Sequence, residues 1–221
     1  MRAITVRCCH ASASNNIISA MNTNANHLSK SSAGKPPPGK PPIGLSDFPR
    51  LIREGYSYVD KSLLIQSVLD SSAQVILLPR PRRFGKTLNL SMLRAFFDRG
   101  MKGGAELFRG LDIEKAGEEY TSHLGRYPVV FLTLKDVKTL NWDDCLGHLR
   151  QVIATECYRH EWLLDGNILN SEERELFLSI KGRRAPKYEL EASLFNLLTW
   201  LERAHGERVV LLIDEYDTPI H

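Results

Sequence analysis

From Gly44 onward, hydrophobic positions follow two alternating patterns. Short continuous apolar runs mark strands buried on both faces, and apolar residues spaced by three or four mark helices with one buried side. The runs are Val75-Ile76-Leu77-Leu78, the stretch from Pro128 to Leu134, and Val209-Val210-Leu211-Leu212-Ile213. Asp60 is expected to cap a helix over 61–70, with Leu63, Leu64, Val68 and Leu69 on its apolar side. Leu88, Met92, Leu93, Phe96 and Phe97 recur at helical spacing before a stop at Gly100. Another helix starts near Trp142, and a further one has Asn170 as cap with Glu173 three residues on. The last carries Leu190, Leu194, Leu197, Leu198 and Leu201 and ends before Gly206. Strands separated by helices imply parallel pairing and an α/β fold with three layers.

Residues 1–42 break the pattern. They are rich in Ser, Ala, Asn and Lys and end in Lys35-Pro36-Pro37-Pro38-Gly39-Lys40-Pro41-Pro42. Each proline removes an N–H donor, so this segment is expected to be a disordered tail and semi-rigid linker before a domain over 43–221. Arg2, Arg7, Lys30, Lys35 and Lys40 make it basic and it holds no acid, whereas the chain's net charge is only +3. The remainder is therefore slightly negative, and direct nucleic-acid binding by this chain is not expected. Hydrophobic content of 43% and charged content of 25% are ordinary for a globular chain. No apolar run is long enough to span a bilayer. Nor does the tail carry an apolar stretch with a small-residue cleavage site, so an intracellular, cytoplasmic location is expected. Cys8, Cys9, Cys145 and Cys157 form no C-x-x-C pair and no zinc spacing.

The candidate chemistry lies in Arg80-Pro81-Arg82-Arg83-Phe84-Gly85-Lys86-Thr87, between a predicted strand and a predicted helix. Phosphates are held by backbone N–H groups, a helix N-terminus and a cation near the β- and γ-oxygens. Gly85 permits close approach, Lys86 supplies the cation, and the Thr87 hydroxyl can ligate Mg²⁺. The loop matches the G-K-T of G-x-x-x-x-G-K-[ST], with Arg80 where the first glycine would stand. The run from Val209 to Ile213 followed by Asp214-Glu215 has the form of a Walker B strand. There the first carboxylate serves the Mg²⁺ shell, directly or through water, and the second polarises the attacking water. The interval from Lys86 to Asp214 leaves room for two crossover units.

The same residues carry a family resemblance. Arg80 to Ser91 resembles the phosphate loop of the AAA-ATPase-like family, whose members often carry a C-terminal nuclease-like domain of the PD-(D/E)XK type. Gly44-Leu45-Ser46-Asp47-Phe48 and Tyr58-Val59-Asp60-Lys61-Ser62 resemble its upstream motifs. Pro128 to Asp136 resembles its second strand, and Ile213 to Ile220 its Walker B. The resemblance implies an ASCE-type P-loop ATPase using ATP and Mg²⁺, with Arg82, Arg83, Phe84, Gly85, Lys86, Thr87 and Leu88 around the nucleotide. Thr87 and Asp214 would serve the metal, and Glu215 would be the catalytic glutamate. Tyr58 and Asp60 would pack near the nucleotide. It further implies a core truncated after Walker B, with a sheet incomplete at the C-terminus and a vacant slot between the two Walker strands. Any arginine finger would come from a missing segment or another subunit, in a homo-oligomer or with a partner.

Two other functions fit less of the sequence. A non-catalytic nucleotide-binding or assembly module would use the same loop without turnover, and an inactive fragment would keep the motifs without the activity. A nuclease needs clustered carboxylates and a lysine, and only Asp136-Val137-Lys138, with Asp112 as a distant first acid, has that form.

Overall fold

Among the described residues, four short strands make one sheet: β1 (Ile4–Cys9), β2 (Val75–Pro79), β3 (Val129–Thr133) and β4 (Val210–Asp214). Their spatial order is β2-β1-β4-β3, and every pairing is parallel. The computed structural model describes residues 4–9, 39–79, 84–138 and 141–218. Parallel neighbours need long crossovers, and the chain supplies them as helices. Helices α1 (Phe48–Arg53) and α2 (Leu64–Asp70) precede β2, and α3 (Lys86–Phe97) follows it. Three single turns come next: α4 (Gly104–Leu107), α5 (Asp112–Lys115) and α6 (Glu118–Thr121). Between β3 and β4 lie α7 (Trp142–Arg159), a 3₁₀ turn (Glu161–Leu164), α8 (Ser171–Lys181) and α9 (Lys187–His205).

Successive strand residues point to opposite faces, and this divides the core in two. Ile76, Leu78, Val129, Val210 and Leu212 pack with Leu90, Leu93, Phe96 and Phe97 of α3 and Ile65 and Val68 of α2. On the other face, Val130, Leu132, Val209 and Leu211 pack with Cys157 of α7, Phe177 and Ile180 of α8, and Leu197, Trp200 and Leu201 of α9. The predicted apolar runs of β3 and β4 are therefore strands covered on both sides. By contrast β2, expected to be buried on both faces, is covered on one: Ile76 and Leu78 are buried and Val75 is 45% exposed, because α7, α8 and α9 pack on β3 and β4.

The expected tail is corrected at both ends. Ile4–Cys9 is the strand β1, hydrogen-bonded to β2 on one side and β4 on the other. It occupies the slot expected to be vacant. Ile4, Val6 and their neighbours form only a short apolar-alternating run, and the polar composition of the next thirty residues hid it. At the other end, Lys40 bridges to Tyr56, and the Ser57 N–H donates to the Lys40 carbonyl at 3.0 Å. A Cβ on Gly39 would stand 2.5 Å from the Gly55 carbonyl oxygen, so only glycine fits this approach. Gly39 and Lys40, expected in the linker, are therefore packed against the turn after α1. Residues 10–38, including Pro36, Pro37 and Pro38, lie outside the described residues.

Helix ends follow local hydrogen bonding. The helix expected over 61–70 begins only at Leu64, because Asp60 is engaged elsewhere. Its Oδ1 accepts from the Ser62 N–H at 2.8 Å, a turn around its own backbone. Its Oδ2 accepts from the Asp112 N–H at 2.8 Å, tying this turn to α5. Helix α3 stops at Phe97, before Gly100, where the Asp98 carboxylate accepts from the Gly100 N–H at 2.9 Å. The capping box is present as expected: Asn170 accepts from the Glu173 N–H at 2.9 Å, and Glu173 accepts from the Asn170 N–H at 3.1 Å. Asn170→Ala should cost about 1 kcal/mol, measured as a shift of the urea midpoint at unchanged slope. Helix α9 ends at Gly206 in a left-handed conformation, φ 64°. Of the tryptophans, Trp200 is buried, whereas Trp142 is exposed with the Lys187 ammonium 5.5 Å from its ring centre.

Candidate functional site

The carboxyl ends of β2 and β4 and the start of α3 converge on one edge of the sheet. Gly85 caps α3 with φ 72° and ψ 28°, and its carbonyl accepts the Asn89 N–H at 2.9 Å, opening the helix. A residue with a Cβ would be strained in this left-handed conformation. Among the described residues no atom stands within 4 Å of where such a Cβ would lie. The first N–H groups of this twelve-residue helix lack intrahelical acceptors, which gives its start a partial positive charge.

Lys86 is buried, unusual for a lysine, and Thr87 and Leu88 are partly buried. The Thr87 hydroxyl donates to Asp214 Oδ2 at 2.8 Å, joining the loop after β2 to the end of β4. Asp214 is 1% exposed, and its Oδ1 has no hydrogen-bond partner among the described residues. Burial raises its carboxyl above the ordinary range. The Thr87 hydroxyl opposes that shift, the neighbouring Glu215 charge adds to it, and Lys86 opposes it. Its backbone carbonyl accepts the Leu134 N–H at 3.0 Å, which extends the β3–β4 ladder to the site. Glu215 follows in a left-handed turn, φ 51°, closed by the Thr218 N–H on the Glu215 carbonyl at 3.1 Å.

A hydroxyl beside a buried carboxylate with an unsatisfied oxygen is a hard-oxygen donor set. It fits Mg²⁺, which binds through one or two carboxylates plus substrate phosphates rather than in an all-protein cage. Among the described residues no group of three or more His, Cys, Asp or Glu could hold a metal by itself.

The other predicted residues fall out as follows. Phe84 is exposed beside the turn, while Arg82 and Arg83 lie outside the described residues. Tyr58 packs edge-on against Phe48 at 5.4 Å, and its hydroxyl accepts from the Lys61 N–H and meets the Met92 sulfur at 3.2 Å. Burial pushes that hydroxyl up to about 12. Tyr58 and Asp60 are thus engaged in packing and turn formation. Val137 is buried in the turn after β3, with Asp136 and Lys138 exposed on either side. Asp112 belongs to α5, so this D-x-K is a solvated turn. The sequence reading missed Ser91, whose hydroxyl accepts the Phe48 N–H at 2.9 Å and docks the Gly44–Phe48 segment on α3. Its place on the buried side of a predicted helix was the available signal. No helix among the described residues is long and apolar enough to cross a membrane.

Comparison with known proteins agrees with this arrangement. The family model described as "Predicted AAA-ATPase" matches residues 42–221. A relative from Azotobacter chroococcum mcd 1, "Uncharacterized protein in vnfD 5'region", is 31% identical over 183 residues. That alignment covers 82% of this chain and 30% of the relative, so the chain spans under a third of the relative's length. No solved structure matches. A match over most of the chain, on the residues that build the Thr87–Asp214 site, shows that this chain belongs to the predicted AAA-ATPase family.

Proposed function

We propose that the chain is an ATP-binding domain of the three-layer P-loop type, built to take MgATP between the start of α3 and the end of β4. The observation that carries this reading is the 2.8 Å contact between Thr87 and Asp214, with the second Asp214 oxygen left unsatisfied. Two elements far apart in sequence meet there through the groups a magnesium–phosphate site needs. Backbone N–H groups from Gly85 onward bind the phosphates, and Lys86 sets its charge against the β- and γ-oxygens. Phe84 borders the same loop, and the family resemblance adds Arg82 and Arg83, which precede it in the sequence. Thr87 and Asp214 hold the metal, Asp214 directly or through water. When bound, Mg²⁺ neutralises charge that develops on the phosphates. Glu215 orients and polarises water for hydrolysis. An arginine completing the γ-phosphate shell would come from a second subunit or a partner.

The test titrates a fluorescent ATP analogue into the 221-residue chain with and without Mg²⁺, and follows phosphate release. Mg²⁺-dependent binding is expected, and Thr87→Ala should weaken its Mg²⁺-dependent part about tenfold, or about 1.4 kcal/mol, through the loss of one oxygen ligand to the metal. Binding without release would assign a non-catalytic nucleotide-binding or assembly module. A folded chain with no affinity for the analogue would refute the reading.

A further inference from the structure

The two halves of the site stand on strands that do not touch. The phosphate loop leaves β2 and Asp214 ends β4, yet β1 lies between them in the sheet. At the usual spacing of parallel strands, β2 and β4 are about 10 Å apart. Only the backbone of β1 bonds to both. Thr5 to Cys9 pair with Val75 to Pro79, and Ile4 to Arg7 pair with Val210 to Ile213. The last pair on one side is therefore the final residue of β2, and on the other the residue before Asp214.

We infer that Ile4–Cys9 is a positioning element of the phosphate site, the strand that fixes the spacing at which Thr87 meets Asp214. The inference rests on the ATP-binding reading for its ligand but on the sheet register for its argument. Without a strand in this slot, β2 loses its sheet neighbour and β4 keeps only β3. Both then present unpaired N–H and C=O groups beside the site. Affinity for a nucleotide scales with the fraction of molecules holding the competent spacing. Residues that sequence analysis assigns to a basic tail would thus govern binding at a loop some eighty residues away.

The experiment removes one backbone donor. Val6→Pro deletes an N–H in mid-strand, where proline is not tolerated, while Ile4→Pro falls at the first strand residue, where it is. Amide exchange and Mg²⁺-dependent binding of the fluorescent ATP analogue are measured on the full 221-residue chain, well below the melting midpoint. In Val6→Pro, protection should fall in Val75–Pro79 and in Val210–Asp214 together. Affinity should drop about tenfold, the fall expected if one molecule in ten keeps the spacing. Ile4→Pro should stay near the parent. A strand that only added stability would lower the melting temperature and leave this affinity unchanged, which overturns the inference. If Val6→Pro loses its helical signal, Val6→Gly, which keeps the N–H but weakens the strand, tests the same slot with a milder lesion. Should the parent chain not bind the analogue at all, the ATP reading fails by itself. Exchange then decides the strand's role: loss of protection in both flanking strands supports it, and unchanged exchange overturns it.

Discussion

Glu156→Ala should destabilise the protein by about 3–5 kcal/mol, the cost of removing one partner from a buried charged network. At 2–4 °C per kcal/mol for a domain of this size, that is a fall of about 10 °C in melting temperature. Glu156 is 3% exposed and lies on α7. Its Oε1 takes the Phe131 N–H at 3.0 Å, Arg159 at 2.5 Å and His160 at 3.3 Å. Phe131 belongs to β3, which pairs only with β4, so this carboxylate closes a donor on the open edge of the sheet. Arg159 carries the network on to Asp98 at 2.9 Å, just past the end of α3. The Arg94 guanidinium sits 5.3 Å over the Phe131 ring and 3.9 Å from Asp98. Removing Glu156 leaves the buried edge N–H without its acceptor and Arg159 with Asp98 as its remaining carboxylate. Glu156→Gln keeps an oxygen for the N–H and should cost clearly less. A loss under about 1 kcal/mol for the alanine variant in urea titrations would show that the network is not load-sharing in this way.

The pH dependence has a definite sign. Burial alone would raise the Glu156 carboxyl, but the hydrogen bond from His160, the Arg159 charge and the Phe131 N–H outweigh it and hold the group below its ordinary range. A carboxylate depressed in the folded state adds stability above the unfolded range of about pH 4. That contribution is lost as pH falls through the folded value. The gap between parent and Glu156→Gln should therefore be constant near neutrality and close in acid.

Much of this arrangement was legible in the sequence because it rests on local patterns. Continuous apolar runs announced β2, β3 and β4, and the spacing of Leu190, Leu197 and Leu201 announced α9. Asn170 with Glu173 announced a cap that depends only on residues three apart. G-K-T after one strand and Asp-Glu after another mark the candidate residues, and Thr87 and Asp214 are in contact. What failed was what depends on distant partners. Six residues near the amino terminus carry too short an alternation to stand out, and only the unpaired edges of β2 and β4 give them a place. Asp60 had the chemistry of a helix cap, but its acceptors are taken by Ser62 and by Asp112, fifty residues on. Glu156 carries no local signal that sets it apart from the other acids of its helix. Its burial is decided by Phe131, Arg159 and His160, and only one of these contacts crosses to another element.

Lys86→Ala and Asp214→Asn should both weaken Mg²⁺-dependent binding of the ATP analogue about 100-fold or more, yet move stability in opposite directions. Each removes a charge that the bound ligand would satisfy at a buried site, a loss of about 3–5 kcal/mol in binding. In the ligand-free protein the two charges are not equivalent. Asp214 is buried with one oxygen unsatisfied, and its raised carboxyl means that its ionised form is penalised. A group raised in the folded state costs stability as pH climbs from the ordinary carboxylate range through the folded value, and the full cost is present above it. Asp214→Asn removes that charge and should raise the melting temperature by about 2–4 °C near neutrality, the equivalent of about 1 kcal/mol. The gain should shrink as the parent is taken into acid and its own carboxyl protonates. Lys86 is the nearby cation that favours the ionised Asp214. Its replacement leaves the carboxylate uncompensated and removes a buried side chain, so Lys86→Ala should melt below the parent. Thermal denaturation of both variants beside the parent, at neutral pH and in acid, decides the matter. If Asp214→Asn melts lower at both, the carboxylate is a structural acceptor for Thr87, and the oxygen without a partner is not stored strain awaiting a ligand.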